Sequence, residues 1–144
     1  MAPATPLAEQ LSQIISQATA PAFLLGAMAG LISVLVGRLN RIVDRSNALT
    51  AVPSEDPARG HLRMDIPRLE RRAKLVNKAI EFAVISGIFT TLLVLIAFAS
   101  AFLGVGHAYG AAFLFMLALG SFGISLIYLW LEVRISVSQF DFYS

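Results

Sequence analysis

The chain contains long uncharged stretches that are apolar enough to cross a bilayer. Between Glu81 and Glu132 lie 50 consecutive residues without Asp, Glu, Lys or Arg, interrupted by the glycine-containing segment 104–110. An earlier uncharged stretch ends at Arg38, and its apolar half begins at Ala18. A helix that rises 1.5 Å per residue needs about 20 apolar residues to cross about 30 Å of hydrocarbon. The pattern therefore predicts an all-α membrane protein with three transmembrane helices.

The chain before the first span has the periodicity of an amphipathic helix. Leu7 and Leu11, followed by two isoleucines, recur at helical spacing between glutamines and serines. Pro21 lacks the amide that a continuous helix would use, so we expect the chain to bend or restart there. We predict an N-terminal surface helix over 5–19 and a first membrane helix over 21–50.

A heptad pattern extends beyond the membrane on both sides of a polar segment. The segment 51–64 contains two prolines and a glycine, which favour a hairpin tip. Two antiparallel helices should pair along the heptad seams, forming a cytoplasmic helical hairpin that extends helices 1 and 2. The seam positions are Leu35, Leu39, Ile42, Ser46 and Leu49 in the first helix and Ile66, Leu69, Ala73, Val76, Ile80, Ala83 and Gly87 in the second.

The remainder of the chain contains the second and third spans. We predict helix 2 over 65–103 and helix 3 over 108–134, joined by a tight glycine-containing turn. The segment 135–144 is predicted to be an aromatic tail at the level of the lipid headgroups, since aromatic side chains favour that region. All these elements belong to one integral membrane domain, 1–144.

Basic residues are concentrated in one part of the sequence. The chain has 11 Lys and Arg against nine Asp and Glu, and ten of the 11 lie between Arg38 and Lys78. Short loops with such an excess stay in the cytoplasm, which predicts an external N-terminus and a cytoplasmic C-terminus. This explains the basic pI of about 9.4 more simply than nucleic-acid binding does. The basic cytoplasmic face, which we expect to contact anionic lipids, comprises Arg38, Arg41, Arg45, Arg68, Arg71, Arg72 and Lys74.

Small residues form a stripe along the first span. Their spacing of four, four, three and four residues places them on one face, where another helix backbone can approach closely. Chance is the alternative explanation, because Gly and Ala are common in membrane spans. The stripe consists of Ala22, Gly26, Gly30, Ser33 and Gly37; further helix-packing candidates are Ala83 and Gly87 in the second span and Gly120 and Gly123 in the third.

Three charged residues are predicted to share one depth at the cytoplasmic boundary. Counting span lengths places Arg38, Glu81 and Glu132 there, with Arg134 close enough in sequence to join them. An arginine between two carboxylates in a low dielectric would hold the three helices together. In a ring of subunits, the same glutamates would instead form an acidic collar that attracts cations.

The sequence argues against catalysis and against a bound cofactor. It contains no cysteine and two histidines, which excludes thiolate chemistry and leaves no candidate metal site. It has no phosphate-binding glycine-rich loop, no Gly-x-Ser-x-Gly motif and no His-Glu-x-x-His motif. No charge lies near the predicted bilayer centre, which weakens a pump or proton relay. We therefore expect a non-enzyme without a cofactor.

Four sequence stretches resemble a bacterial inner-membrane family known as domain of unknown function twenty-seven twenty-one. They are residues 21–25 (Pro-Ala-Phe-Leu-Leu), residues 38–45 (Arg-Leu-Asn-Arg-Ile-Val-Asp-Arg), residues 71–80 and residues 132–134 (Glu-Val-Arg). The resemblance covers about residues 10 to 136. It implies a three-span protein of the bacterial inner membrane and supplies no activity.

Two functions remain open at this point. The first is an interaction or accessory subunit that self-associates, or docks on a larger membrane complex, through small-residue helix faces. The alternative is a homo-oligomeric ion channel lined by Ser and Thr, with the level of Arg38, Glu81 and Glu132 at its cytoplasmic mouth. A cytoplasmic sensor of lipids or polyanions, acting through the basic face, is a third possibility.

Overall fold

The computed structural model describes residues 6–106 and 108–138. These residues form three α-helices, α1 (Pro6–Thr50), α2 (Ile66–Leu103) and α3 (Ala108–Val137), and a 3-10 helix (Gly60–Asp65) that precedes α2. Each of the three long helical segments is apolar enough to cross a membrane. The protein is thus a multi-pass membrane protein, and the predicted all-α fold with three spans is confirmed. Most of the predicted aromatic tail, including Phe140, Phe142 and Tyr143, lies outside the described residues.

Helix α1 continues without interruption through Pro21. The structure has one 45-residue helix where the sequence predicted a surface helix and a separate membrane helix. Proline at this position removes one backbone hydrogen bond, to the carbonyl of Gln17, and membrane helices tolerate that loss. Pro21 is itself buried, so its ring contributes to packing. The predicted restart at Pro21 is therefore wrong.

The buried positions of all three helices follow a seven-residue repeat. A repeat of 3.5 residues per turn is typical of helices that wrap around each other with a left-handed twist. In α2 the repeat occurs twice, since this helix lies between α1 and α3 and packs against both. The buried residues are Pro21, Met28, Leu35, Ile42 and Leu49 in α1, Leu69, Val76, Ala83 and Thr90 with Ala79, Ser86 and Leu93 in α2, and Ala118, Ser125 and Glu132 in α3.

The contact between α1 and α2 is an apolar core at the charged end of the protein. Leu35, Ile42 and Leu49 of α1 cluster with Leu69 and Val76 of α2. These five positions belong to the heptad seams read from the sequence. Because the seam extends past Arg38 to Leu49, the two helices remain packed together well beyond the uncharged stretch.

The contact between α2 and α3 consists of small residues, which we call the inner seam: Ala79, Ser86, Ala118 and Ser125. All four are completely buried. The Ser86 hydroxyl donates to the Ala118 carbonyl at 2.6 Å, and the Ser125 hydroxyl donates to the Ala79 carbonyl at 2.6 Å. A step of seven residues forward along α2 thus matches a step of seven back along α3. The two helices are antiparallel and close together, because no side chain larger than a hydroxymethyl separates them at these positions.

A left-handed glycine ends α2. Gly104 has φ 65° and donates its N–H to the Ser100 carbonyl. This conformation is common just after a helix C-terminus and costs little for glycine. α3 begins at Ala108, so the connection is short, as predicted. α3 then continues to Val137, three residues beyond its predicted end.

Candidate functional site

Glu132 is a fully buried carboxylate that binds two arginines from two other helices. Its Oε2 accepts from Arg38 Nη1 at 2.7 Å, which links α3 to α1. Its Oε1 lies 3.0 Å from Arg72 Nε and 2.9 Å from Arg72 Nη2, which links α3 to α2. The Glu132 side chain has 0% exposure, against 34% for Arg38 and 14% for Arg72. A fully buried carboxylate is tolerated here because both its oxygens accept charge-assisted hydrogen bonds.

Arg72, and not Glu81, lies level with Glu132. Ala79 and Ser125 face each other in the inner seam. Arg72 is seven residues before Ala79 and Glu132 is seven residues after Ser125, so in antiparallel helices these two residues lie at the same level. Glu81 lies nine residues further along α2, a displacement of about 13 Å toward the opposite end of the bundle at 1.5 Å per residue. The predicted common level of Arg38, Glu81 and Glu132 is therefore wrong for Glu81. The residue that binds Glu132 in its place is Arg72, which the sequence pattern predicts to lie on the basic face.

Glu81 forms a separate, exposed ion pair within its own helix. Its Oε2 accepts from Lys78 Nζ at 2.8 Å, and the two side chains are 56% and 54% exposed. Both side chains are screened by solvent, and Lys before Glu is the less favourable order on a helix, so this pair contributes little to stability. Glu81 therefore makes no link between helices in the described part of the chain.

Arg134 contacts Trp130 instead of the charge cluster. Its guanidinium carbon lies 4.9 Å from the centre of the Trp130 ring, in a cation–π contact. The two residues are one turn apart in α3 and both are exposed. Tryptophan is enriched at the boundary between hydrocarbon and headgroups, and the cation–π contact with the guanidinium is favourable.

Arg68 binds the end of α3. Its Nη2 donates to the Ile135 carbonyl at 2.8 Å and to the Ser138 hydroxyl at 2.6 Å. Arg72 adds a bond to the Ser136 hydroxyl at 3.2 Å. The last carbonyls of a helix have no partner within that helix, and a cation there also opposes the negative end of the helix dipole. These contacts extend α3 beyond its predicted end at residue 134.

The predicted basic face divides into two groups. Arg38, Arg68 and Arg72 turn inward and bind groups of α3. The other four members are exposed and make no ion pair in the parts of the chain that the structure describes. These four are Arg41, Arg45, Arg71 and Lys74.

The small-residue stripe of α1 faces away from the rest of the bundle. We call it the outer face: Ala22, Gly26, Gly30, Ser33 and Gly37. All five residues are exposed. A Cβ added at any of its three glycines would meet no atom within 4 Å. The stripe is therefore not used for packing between the helices that the structure describes.

The other predicted packing residues divide between buried and open positions. Ala83 is fully buried, and a Cβ at Gly87 would lie 3.8 Å from the Met28 sulfur, so both lie at the contact with α1. Gly120 and Gly123 have open space where a Cβ would be. The α3 glycines therefore lie outside the inner seam, which uses Ala118 and Ser125 instead.

Comparison with known families identifies the chain. The model of a family described as a protein of unknown function, DUF2721, matches residues 18–142. The chain belongs to this family. The matched region contains all three members of the buried charge cluster and the whole outer face. Comparison with the curated proteins and with the solved structures finds no match.

Several hydroxyl groups in the helices of this DUF2721 chain donate to backbone carbonyls. Besides the two bonds of the inner seam, Thr90 donates to the Ser86 carbonyl at 2.8 Å and is fully buried. Thr91 and Ser100 donate to carbonyls four residues earlier in their own helix. Such bonds satisfy the hydroxyl without offering it to a ligand.

Two concave regions lie at opposite ends of the bundle. An apolar cavity of about 230 Å³ near Pro21 is lined by side chains such as Leu93 and Phe115. At the charged end, a groove of about 640 Å³ runs along α1 beside the buried cluster. Among the described residues, no three His, Asp or Glu side chains come together as a metal site. We call the second region the arginine groove; it is lined by Ser33, Val34, Gly37, Arg38, Arg41, Arg72 and Ser136.

Proposed function

We propose that the protein is a non-enzymatic membrane subunit that self-associates through the outer face of α1. The observation that carries this proposal is the position of the outer face relative to the buried row of α1. With 3.6 residues per turn, the middle of the stripe lies about 180° around the helix from the middle of the row that contains Leu35. The small residues of α1 therefore have no role in packing against α2, and a second helix is the partner that such a surface accommodates.

The dimensions of the outer face suit a helix–helix contact within the bilayer. From Ala22 to Gly37 the face is about 22 Å long at 1.5 Å per residue, most of a membrane span. Gly26 and Gly30 are four residues apart, the spacing at which two helices approach closely and cross with a right-handed twist. Because lipid is as apolar as leucine, close backbone packing of this kind is what drives association within membranes. A second copy of this chain presents the same surface, so two copies can pack symmetrically.

The charges favour one orientation in a bacterial inner membrane. Most of the basic residues lie between Arg38 and Lys78, and positive loops remain cytoplasmic. We therefore propose an external N-terminus, a cytoplasmic helical hairpin formed by the ends of α1 and α2, and a cytoplasmic C-terminus. The exposed arginines of the hairpin then face the anionic leaflet.

The ion-channel alternative has less support from the side chains that would line a pore. Ser86, Thr90 and Ser125 are buried between helices of one chain and bind carbonyls. The Glu132 carboxylate is neutralised by two arginines, so copies of it would not form an acidic collar. Glu81 is exposed, but it is paired with Lys78. These contacts favour a packing role for the polar groups over an ion pathway.

Native mass spectrometry of the gently solubilised protein tests the proposal with a matched pair of glycines. Gly30 of the outer face and Gly120 of α3 are both exposed, and neither has an atom within 4 Å of an added Cβ. Gly30→Leu should weaken self-association by at least about tenfold, or about 1.4 kcal/mol, because the added side chain separates the two backbones. Gly120→Leu should leave the oligomer unchanged. Both variants should retain the unfolding midpoint of the original chain.

Four results would contradict the proposal. A protein that remains a single copy at every concentration does not self-associate, and one copy held in a larger assembly would instead make it an accessory subunit. Equal effects of Gly30→Leu and Gly120→Leu would remove the outer face from the interface. Conductance in liposomes that falls on substitution of Glu81 would favour the channel.

A further inference from the structure

We propose that the arginine groove binds the phosphate group of an anionic phospholipid. The groove is lined by three guanidinium groups, Arg38 and Arg41 from α1 and Arg72 from α2. The hydroxyl-bearing residues Ser33 and Ser136 lie at its edges. The groove shares Ser33 and Gly37 with the outer face, but the inference does not require self-association, because the arginines that carry it lie outside that face.

The charges around the groove do not balance. Glu132 is the carboxylate that contacts the lining arginines, and it lies buried behind them and not in the groove itself. Three positive groups against one negative group leave a net charge of +2. Asp44 on α1 and Glu70 on α2 are exposed and form no ion pair among the described residues. The groove is therefore a site of excess positive charge, which favours an anionic occupant.

The lining arginines retain hydrogen-bond donors. Arg41 makes no hydrogen bond or ion pair in the part of the chain that the structure describes. Arg38 uses its Nη1 for Glu132, and its side chain is 34% exposed. A planar guanidinium presents five N–H groups in a fork that matches two oxygens of a phosphate. Held in place by Glu132, Arg38 is oriented before any ligand binds.

The position of the groove at the membrane boundary identifies a lipid as the source of the phosphate. At one end the groove reaches Val34, inside the uncharged stretch of α1, and at the other it reaches Arg41, beyond that stretch. Trp130, stacked by Arg134, marks the same end of α3 as a membrane boundary. A phosphodiester at this depth leaves its acyl chains beside the apolar part of α1. A basic pocket between membrane helices is typical of anionic headgroup binding.

Small residues on α1 keep the groove open. Gly37 lies between Arg38 and Val34 in the lining, and a Cβ added there would meet no atom within 4 Å. A large side chain at this position would fill the groove without changing its charge. This allows the shape and the charge of the groove to be tested separately.

The experiment is a lipid titration of the delipidated full chain, followed by native mass spectrometry. Phosphatidylglycerol should bind more tightly than phosphatidylcholine by at least about tenfold, because both carry a phosphodiester but the choline cation is repelled by the lining arginines. Arg41→Gln should weaken phosphatidylglycerol binding by about tenfold, as expected for the loss of one charge-assisted contact. Arg45→Gln is the matched control, because Arg45 is also exposed and unpaired but does not line the groove. Its effect should be less than about twofold.

Gly37→Leu provides a second variant. It should lower phosphatidylglycerol binding as much as Arg41→Gln does, although every charge remains. Because Gly37 also belongs to the outer face, Gly30→Leu is its control: it changes the outer face without touching the groove and should leave phosphatidylglycerol binding unchanged. Equal affinities for the two lipids, or equal effects of Arg41→Gln and Arg45→Gln, would overturn the proposal. Inorganic phosphate is the final probe: if it displaces the lipid at millimolar concentration, the groove is a site for a free anion from water and the assignment to a lipid is wrong.

Discussion

The inner seam and the outer face contain the same kinds of small residue, but one is buried and the other is exposed. Ala79, Ser86, Ala118 and Ser125 are completely buried between α2 and α3, whereas Ala22, Gly26, Gly30, Ser33 and Gly37 are exposed. The seam residues are seven apart and coincide with the heptad repeat, while the outer face follows mostly four-residue steps. Small size permits close packing, but the repeat decides which partner a surface meets.

The two surfaces also differ in how they use hydrogen bonds. Each serine of the inner seam donates to a carbonyl of the opposite helix. In the outer face, Ser33 makes no such bond among the described residues. The inner seam therefore holds one chain together and ends at the Glu132 cluster, whereas the residues of the outer face are exposed.

The largest loss of stability is expected at Glu132, which the register of the inner seam places beside Arg72. Glu132→Gln removes a buried carboxylate and leaves Arg38 and Arg72 without their common partner. Breaking a buried ion pair in this way costs about 3–5 kcal/mol. Reversible unfolding in mixed micelles measures the change.

The matched control is Glu81→Gln, the same substitution at an exposed carboxylate. The pair of Glu81 with Lys78 is exposed and screened by solvent, so the unfolding free energy should hardly change. If both substitutions cost the same, the cluster around Glu132 does not stabilise the bundle.

The second effect tests the close approach of α2 and α3. Ala118→Leu adds a side chain at a fully buried position opposite Ser86. Overpacking of this kind costs about 1–3 kcal/mol. Ala99→Leu, at an exposed small residue of α2, should change the unfolding free energy by less than about 0.5 kcal/mol. A tolerated leucine at position 118 would mean that the helices can separate there at little cost.

The smallest effect is expected from a single hydroxyl of the inner seam. Ser125→Ala removes the bond to the Ala79 carbonyl, and interhelical bonds of this kind in membranes average about 0.6 kcal/mol. Ser100→Ala removes a hydroxyl that bonds within its own helix, to Ile96, and should cost less. The same unfolding assay distinguishes the two, and a larger loss at Ser100 would contradict the assignment of the seam.

The sequence by itself determined the spans and much of the contact between α1 and α2. Uncharged stretches long enough for a bilayer predicted three helices, and the heptads that contain Leu35, Ile42 and Val76 mark residues that are buried in the structure. These features follow from local chemistry. Apolar side chains contact lipid or pack against each other, and their spacing along the sequence identifies the side of the helix on which they lie.

Only the tertiary structure decided the register and the partners of α3. This helix is apolar on every side, so its pattern does not show that Ala118, Ser125 and Glu132 turn inward. Sliding α3 along α2 by one turn moves every partner by about 5 Å, and span lengths do not determine position that closely. The pairing of Glu132 with Arg72 in place of Glu81 therefore depended on the close contacts of the inner seam. The same holds for Pro21, where the packing of the bundle maintained a helix that the local sequence predicted to break.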